Sequence, residues 1–349
     1  LSRGTECRLS EALGDFIAQR SGAEAVHVLA FERMSGGAIQ SNYLFTVDCR
    51  GGERPGRLEL VVRSDAPSKV DASMTRAQEF AVLRLAYETG VTVPEPLWLC
   101  EDTAVIGAAF YIMKRVPGTA AGRFLVREGV APEHAGALTR QLGQELARLH
   151  TVRPPEPRLG FLPLGQSDRA RERVAEYRAA LDSIPQPRPV LEYVLNWLED
   201  HAPASSDIVL CHGDYRTGNY MVRDGRVTGI LDWEFASWSD PYEDLGWLCA
   251  RSWRFGAFDK EVGGIGHKPD LFDAYAQASG RRVEPGLVLY WEVMAMLRWS
   301  VIALQQAQRH LSGEESSLEL ALTGRMLPEM EYDMLRQIES IGGTNERPA

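Results

Sequence analysis

The stretch VLCHGDYRTGNYMV, residues 209–222, followed by VTGILDWEF, residues 227–235, decides how the rest of the chain is read. Val209, Leu210 and Cys211 make an apolar run of buried-strand length, and polar residues take over at His212. Tyr220, Met221 and Val222 resume the apolar pattern, Arg223-Asp224-Gly225-Arg226 supplies turn chemistry, and a second strand is expected to end at Asp232. Such a hairpin is expected to carry Asp214, Asn219 and Asp232 to one end.

Asp214 and Asn219 have the D-x-x-x-x-N spacing of a phosphoryl-transfer loop, with Asp232 where a metal-binding aspartate follows it. Phosphoryl transfer needs a carboxylate to orient the attacking hydroxyl and take its proton, and oxygen ligands to hold magnesium on a triphosphate. Asp214 is the expected base. Asn219 and Asp232 are the expected metal ligands, because Mg2+ prefers hard oxygen donors and completes its shell with phosphate oxygens and water. Three unrelated caps or turn formers would have no reason to fall at this spacing. ATP and Mg2+ are the expected cofactors.

Taken together, His212-Gly213-Asp214-x-x-x-Gly218-Asn219, Leu231-Asp232-Trp233-Glu234 and Asp240-Pro241-x-x-Asp244-Leu245-Gly246 resemble the aminoglycoside phosphotransferase and choline kinase-like family. The resemblance implies an α+β, two-lobed, protein-kinase-like fold, with a small antiparallel-sheet N-lobe and a larger helical C-lobe. It implies an enzyme that moves the γ-phosphate of ATP to a hydroxyl of a small molecule. Asp214 is then the proton acceptor and His212 a scaffold for the loop. Asp240 and Asp244, just before an expected helix, are read as caps.

The composition changes character near residue 114, so residues 1–113 are expected to form the nucleotide-binding lobe and 114–349 the catalytic and substrate-binding lobe. Before the boundary, Ala25–Glu32, Asn42–Cys49 and Arg57–Arg63 read as antiparallel strands. A helix over Asp71–Thr89 follows, with Phe80, Leu83 and Tyr87 on its stripe and Asp71 or Ser73 as cap. Strands near Leu97–Cys100 and Phe110–Lys114 complete the lobe. By the resemblance, the loop after the first strand covers the phosphates, so Gly36, Gly37 and Ser41 are candidate contacts; a plain hairpin turn is the alternative. The third strand should carry a cation for the α- and β-phosphates, paired with a helix glutamate. By position these are Arg63 and Glu79, with Lys69 as the rival cation. Met113 and Val116, at the lobe connection, are the expected apolar slot for adenine.

Beyond the boundary, helical spacing is expected around Leu138–Leu149, Arg169–Leu181, Val190–Leu198, Tyr242–Arg251, Leu271–Ser279, Pro285–His310 and Glu314–Ile341. The apolar segment from Leu287 to Leu304 is interrupted by Glu292 and Arg298 and reads as a buried core helix, not a membrane span. Gly263-Gly-Ile-Gly-His-Lys268 lacks Walker A spacing and reads as a flexible connector.

The 349-residue chain carries a net charge of −10 spread over both halves, which argues against a nucleic-acid-binding surface. Five scattered cysteines, no C-x-x-C pair and no apolar leader point to a reducing cytoplasm, with neither a disulfide framework nor a zinc ribbon. No oligomeric state is read. The acceptor is open between an aminoglycoside and an anionic hydroxyacyl-CoA. The second is suggested by Arg216, Arg251 and Arg254 near the motifs and by the likeness of His-Gly-Asp-Tyr-Arg-x-Gly-Asn to the family branch associated with acyl-CoA dehydrogenases. A nucleotide-binding pseudokinase is the reading from outside enzymology. Trp238, Trp247, Trp253 and Trp299 are read as helical core ahead of an acceptor pocket.

Overall fold

Alternation along the second strand organises the first half of the chain: Tyr43, Phe45, Val47 and Cys49 are all buried, as period-2 side chains on one sheet face must be. The structure, a computed structural model, describes residues 3–34, 40–65, 74–165, 168–204 and 207–345. It divides into two compact units, the first comprising Leu1–Gly118, Pro157–Phe161 and Thr228–Phe235, the second Thr119–Glu156, Leu162–Val227 and Ala236–Ala349.

In the first unit, helix α1 (Arg3–Ser21) precedes strands β1 (Ala25–Arg33), β2 (Gln40–Arg50) and β3 (Gly56–Asp65), helix α2 (Arg76–Glu88), and strands β4 (Pro96–Cys100) and β5 (Phe110–Lys114). The five strands form one antiparallel sheet in the order β1-β2-β3-β5-β4. Leu13, Phe16 and Ile17 of α1 pack on Phe45, Val47, Leu60, Val62, Phe110 and Ile112. Each such side chain, fully buried, stabilises the unit by roughly 1.5–3 kcal/mol. Because Val62 faces that core, the alternation turns Arg63 to the opposite face, where it meets α2.

Two expectations for α2 need correction. It begins at Arg76, not near residue 71, because Thr75 closes a capping box with Gln78. Asp71 and Ser73 lie outside the described residues. Tyr87 is also exposed; the buried stripe includes Phe80, Val82, Leu83 and Ala86.

The second unit opens with a short helix α3 (Gly122–Phe124) that runs on as a π-turn over Leu125–Gly129. Helices α4 (Pro132–Leu149), α5 (Arg169–Asp182) and α6 (Pro189–Asp200) precede strands β6 (Val209–Cys211) and β7 (Tyr220–Arg223). Strand β8 (Arg226–Ile230), whose residues from Thr228 onward belong to the first unit, follows a turn in which Asp224 and Gly225 have positive φ. β9 (Ser237–Ser239) pairs with β6. The remaining helices are α7 (Pro241–Cys249), α8 (Lys268–Ser279), α9 (Pro285–Leu311), α10 (Leu318–Gly324) and α11 (Leu327–Asn345). The helix expected over Glu314–Ile341 is thus two, and Pro328, which cannot occupy a helix interior, sits in the first turn of α11.

α9 is long and apolar enough to cross a membrane, yet most of its apolar window is buried, with Trp291, Val293, Leu297 and Val301 in a core shared with α5, α6 and α11. Its Glu292 is buried with Lys268 Nζ at 2.5 Å and Arg254 Nη2 at 3.5 Å. A charge inside an apolar helix is tolerated where it is paired in this way. α4 and α8 approach closely at Gly143, where a Cβ would come 2.6 Å from Leu271 O.

Candidate active site

Strand β3 and helix α2 bring Arg63 and Glu79 together. Arg63 Nε donates to Glu79 Oε2 at 3.2 Å; Nη2 lies 2.9 Å from Oε1, an ion pair whose angle falls outside hydrogen-bond geometry. Arg63 Nη2 also donates to Asp232 Oδ1. Glu79 is fully buried and Arg63 is 7% exposed. Arg76 is not among the expected site residues, although its i,i+3 spacing to Glu79 is the signal for it. It donates to Glu79 and, at 2.9 Å, to Asp65 Oδ1. Burial works to lower the Arg63 pKa, but the Glu79 and Asp232 carboxylates outweigh it and hold the guanidinium firmly charged.

Asp232 lies beyond the end of β8, not on it: β8 stops at Ile230, and Asp232 has φ 68°, a left-handed conformation that no strand residue adopts and that aspartate tolerates. Two residues on, burial pushes the Glu234 carboxyl up to about 7, with the Asp232 charge adding to the shift and Arg63 opposing it. Met113 and Val116 are half-buried at and just after β5, and a Cβ on Gly229 would come 2.9 Å from Val116 Cγ2. Ser41 sits opposite Ser64 on β2. Gly36, Gly37 and Lys69 lie outside the described residues.

In the second unit, β6 delivers the chain into the His212–Asn219 loop, and Asp244 fixes the loop from α7. Asp244 Oδ2 accepts from His212 N at 2.7 Å and Oδ1 from Gly213 N at 2.9 Å. Asp244 is therefore a buried loop anchor and not the helix cap expected; Asp240 is the cap, accepting from Tyr242 N. Burial alone would raise the Asp244 pKa, but the hydrogen bond with His150 and the His212 N–H outweigh it and keep the carboxyl below its usual range. His150 Nε2 is 3.3 Å from Asp244 Oδ2, and its Nδ1 is 2.9 Å from Tyr275 Oη. His212 is buried and accepts from Asp214 N at 3.2 Å through Nδ1, a scaffold contact within the loop.

Asp214 is 8% exposed and its carboxylate meets three donors. Oδ1 accepts from Trp247 Nε1 at 2.7 Å and from Arg216 Nε at 3.0 Å, and Oδ2 accepts from Asn219 Nδ2. Asn219 Nδ2 also bonds to Asp214 O at 3.0 Å, so its amide nitrogen is committed to Asp214 and its oxygen is the remaining ligand atom. The Arg216 guanidinium lies 4.6 Å from the Trp253 ring centre. Arg251 and Arg254 pair elsewhere, with Asp333 at 2.7 Å and Glu292 at 3.5 Å.

The segment read as a flexible connector is instead a buttress of this loop. Val262–Gly266 is buried, and Gly263 O accepts from Thr217 Oγ1 at 2.8 Å. Gly263 has φ 58°, and a Cβ there would come 2.1 Å from Thr217 Oγ1. Only glycine combines that backbone with that approach.

A family model described as the phosphotransferase enzyme family matches residues 30–281. The chain is 27% identical over 367 residues to acyl-CoA dehydrogenase family member 11 of Pongo abelii, covering 98% of this chain and 45% of that protein. It spans less than half the length of the acyl-CoA dehydrogenase relatives it matches. Aminoglycoside 3'-phosphotransferase of Streptomyces fradiae is 28% identical over 213 residues, 59% of this chain and 75% of that protein. Among solved structures, a Ralstonia eutropha JMP134 protein provisionally named an aminoglycoside phosphotransferase has a TM-score of 0.75 at 25% identity, over 95% of this chain and 98% of that one. A choline/ethanolamine kinase family protein from Mesorhizobium loti shares the fold, with a TM-score of 0.57 at 19% identity and 95% of each chain covered. The fold is the α+β, kinase-like one, and the chain belongs to the phosphotransferase enzyme family.

Proposed function

We propose that ATP is the phosphoryl donor of this small-molecule kinase, that Mg2+ accompanies it, and that Asp214 prepares the acceptor hydroxyl. The observation that carries the reading is the Asp214 carboxylate, buried at catalytic-loop spacing from Asn219 and held by three donors. Asp214 orients the acceptor hydroxyl and takes its proton as the oxygen bonds to the γ-phosphorus and the bond to the β-phosphate oxygen breaks, releasing ADP. Asn219 and Asp232 are each assigned to magnesium by their motif positions: Asn219 keeps its amide oxygen for a cation and Asp232 offers a carboxylate, both hard oxygens. Bound there, Mg2+ would neutralise charge on the phosphates. Arg63, oriented by Glu79, is assigned to the α- and β-phosphates, Gly36, Gly37 and Ser41 to the phosphate loop, and Met113 and Val116 to the adenine slot.

A hydroxyacyl-CoA acceptor is the second reading. It is favoured by Arg216, a cation bonded to the proposed base itself, where a polycationic aminoglycoside would meet repulsion. The acyl-CoA dehydrogenase names of several relatives are compatible with it. The test is substrate-dependent ADP release from MgATP over a panel of aminoglycosides, hydroxyacyl-CoAs and other hydroxylated metabolites. Release with one acceptor class supports the kinase and chooses the class. Nucleotide binding without release for any acceptor, water included, would replace the kinase with a nucleotide-binding regulatory module.

A further inference from the structure

Three tryptophans of the second unit fall into two kinds. Among the described residues, the buried indole N–H groups of Trp253 and Trp299 meet no hydrogen-bond partner, whereas Trp247 Nε1 donates to Asp214 Oδ1 at 2.7 Å. Trp247 is itself clamped: it is 3% exposed, the Trp253 ring centre is 5.2 Å away, and the Arg298 guanidinium lies 4.3 Å from its ring centre. Arg298 Nη1 donates in turn to Gly213 O at 2.5 Å, so one side chain braces both the indole and the loop.

Resting on the assignment of Asp214 as base, we infer that Trp247 is a positioning residue for phosphoryl transfer, fixing the Asp214 carboxylate through its indole N–H. A carboxylate offers about four lone-pair sites. Trp247, Arg216 and Asn219 occupy three of them, which leaves one for the acceptor hydroxyl. The three donors are not equivalent. Asn219 is assigned to the cation, and the Arg216 side chain, 26% exposed, is the one that solvent or an anionic acceptor can draw away. Trp247 is uncharged, donor-only, rigid over two torsions and packed against Trp253 and Arg298. It keeps Oδ1 in place while the other partners respond to ligands, so the carboxylate needs no reorientation when the hydroxyl arrives.

The test compares wild type with Trp247→Phe, which keeps an aromatic ring and removes the donor, using MgATP with water as acceptor. The inference expects kcat to fall about ten-fold with KM for MgATP unchanged, the signature of a contact made through the base and not through nucleotide binding. A folded Trp247→Phe enzyme with kcat within about two-fold of wild type overturns it, and so does a change confined to KM. An independent readout covers a variant that does not fold. In the indole N–H spectrum of tryptophan-labelled protein, Asp214→Ala should move one of the eight resonances upfield as its charged acceptor is lost. An unchanged spectrum would deny the contact. Absence of ADP release from wild type with water and with every acceptor of the panel, with that shift present, would overturn the assignment of Asp214 as base, and the inference with it, while leaving the contact intact.

Discussion

Replacing Arg63 by methionine separates architecture from chemistry in the first unit. The substitution keeps an unbranched apolar stem and removes the guanidinium, and with it the 3.2 Å hydrogen bond and 2.9 Å ion pair to Glu79 and the bond to Asp232. Breaking a buried pair from one side costs about 3–5 kcal/mol. The lower end applies here because Arg76 still donates to Glu79, so a loss of about 3 kcal/mol is expected. If Arg63 also grips phosphate, affinity for MgADP should fall about 10–100-fold, the scale of one lost charge-assisted hydrogen bond. Arg63→Lys restores the charge but not the planar fork, and should recover most of the nucleotide affinity while staying less stable than wild type. Denaturant unfolding followed by circular dichroism reads the first quantity, and calorimetric titration of folded protein reads the second. Lost stability with unchanged MgADP affinity would make Arg63 purely structural and refute its phosphate role. If stability were unchanged as well, the reasoning about the buried pair would fail.

Two further perturbations address the neighbouring carboxylates. Glu234 has its folded pKa raised from the ordinary 4.5 to about 7, so the folded state holds the proton more tightly and the contribution to stability is present below pH 4.5 and lost as pH rises through about 7. Metal-free wild type should therefore lose up to about 3 kcal/mol between pH 5 and 8 that Glu234→Gln does not lose; equal slopes in the two proteins would reject this. Asp244→Asn removes one of the acceptors that hold the His212 and Gly213 N–H groups, which should cost about 1–3 kcal/mol and lower kcat more than it raises KM for MgATP. Unaltered kcat in the folded variant would show that the loop holds its shape without this anchor.

The strands β1, β2 and β3 were legible because each has one face in the core and period-2 alternation records it. So was the pairing of Arg63 with Glu79, which follows from a strand and a helix consecutive in the chain. No helix is expected before β1, although Leu13, Phe16 and Ile17 of α1 have helical spacing, because an N-terminal stretch reads first for the presence of a leader. The start of α2 is not legible because several polar residues before Arg76 are plausible caps and only the geometry of Thr75 selects one. The least legible feature was the support of Asp214. Trp247 lies 33 residues away and Arg298 is 85 residues from Gly213, and no local pattern distinguishes an indole aimed at a carboxylate from one filling core. The same holds for Gly263, whose glycine requirement arises from Thr217 across 46 residues.

Asp214→Asn tests the central claim most directly. It preserves shape but replaces an acceptor-only carboxylate with a neutral amide that cannot take the hydroxyl proton. ADP release on the acceptor selected by the panel should fall by roughly 10²–10⁴-fold, while MgATP affinity measured on the same preparation should change little. Turnover close to wild type, in a folded variant that still binds MgATP, would contradict the assignment of Asp214 as base.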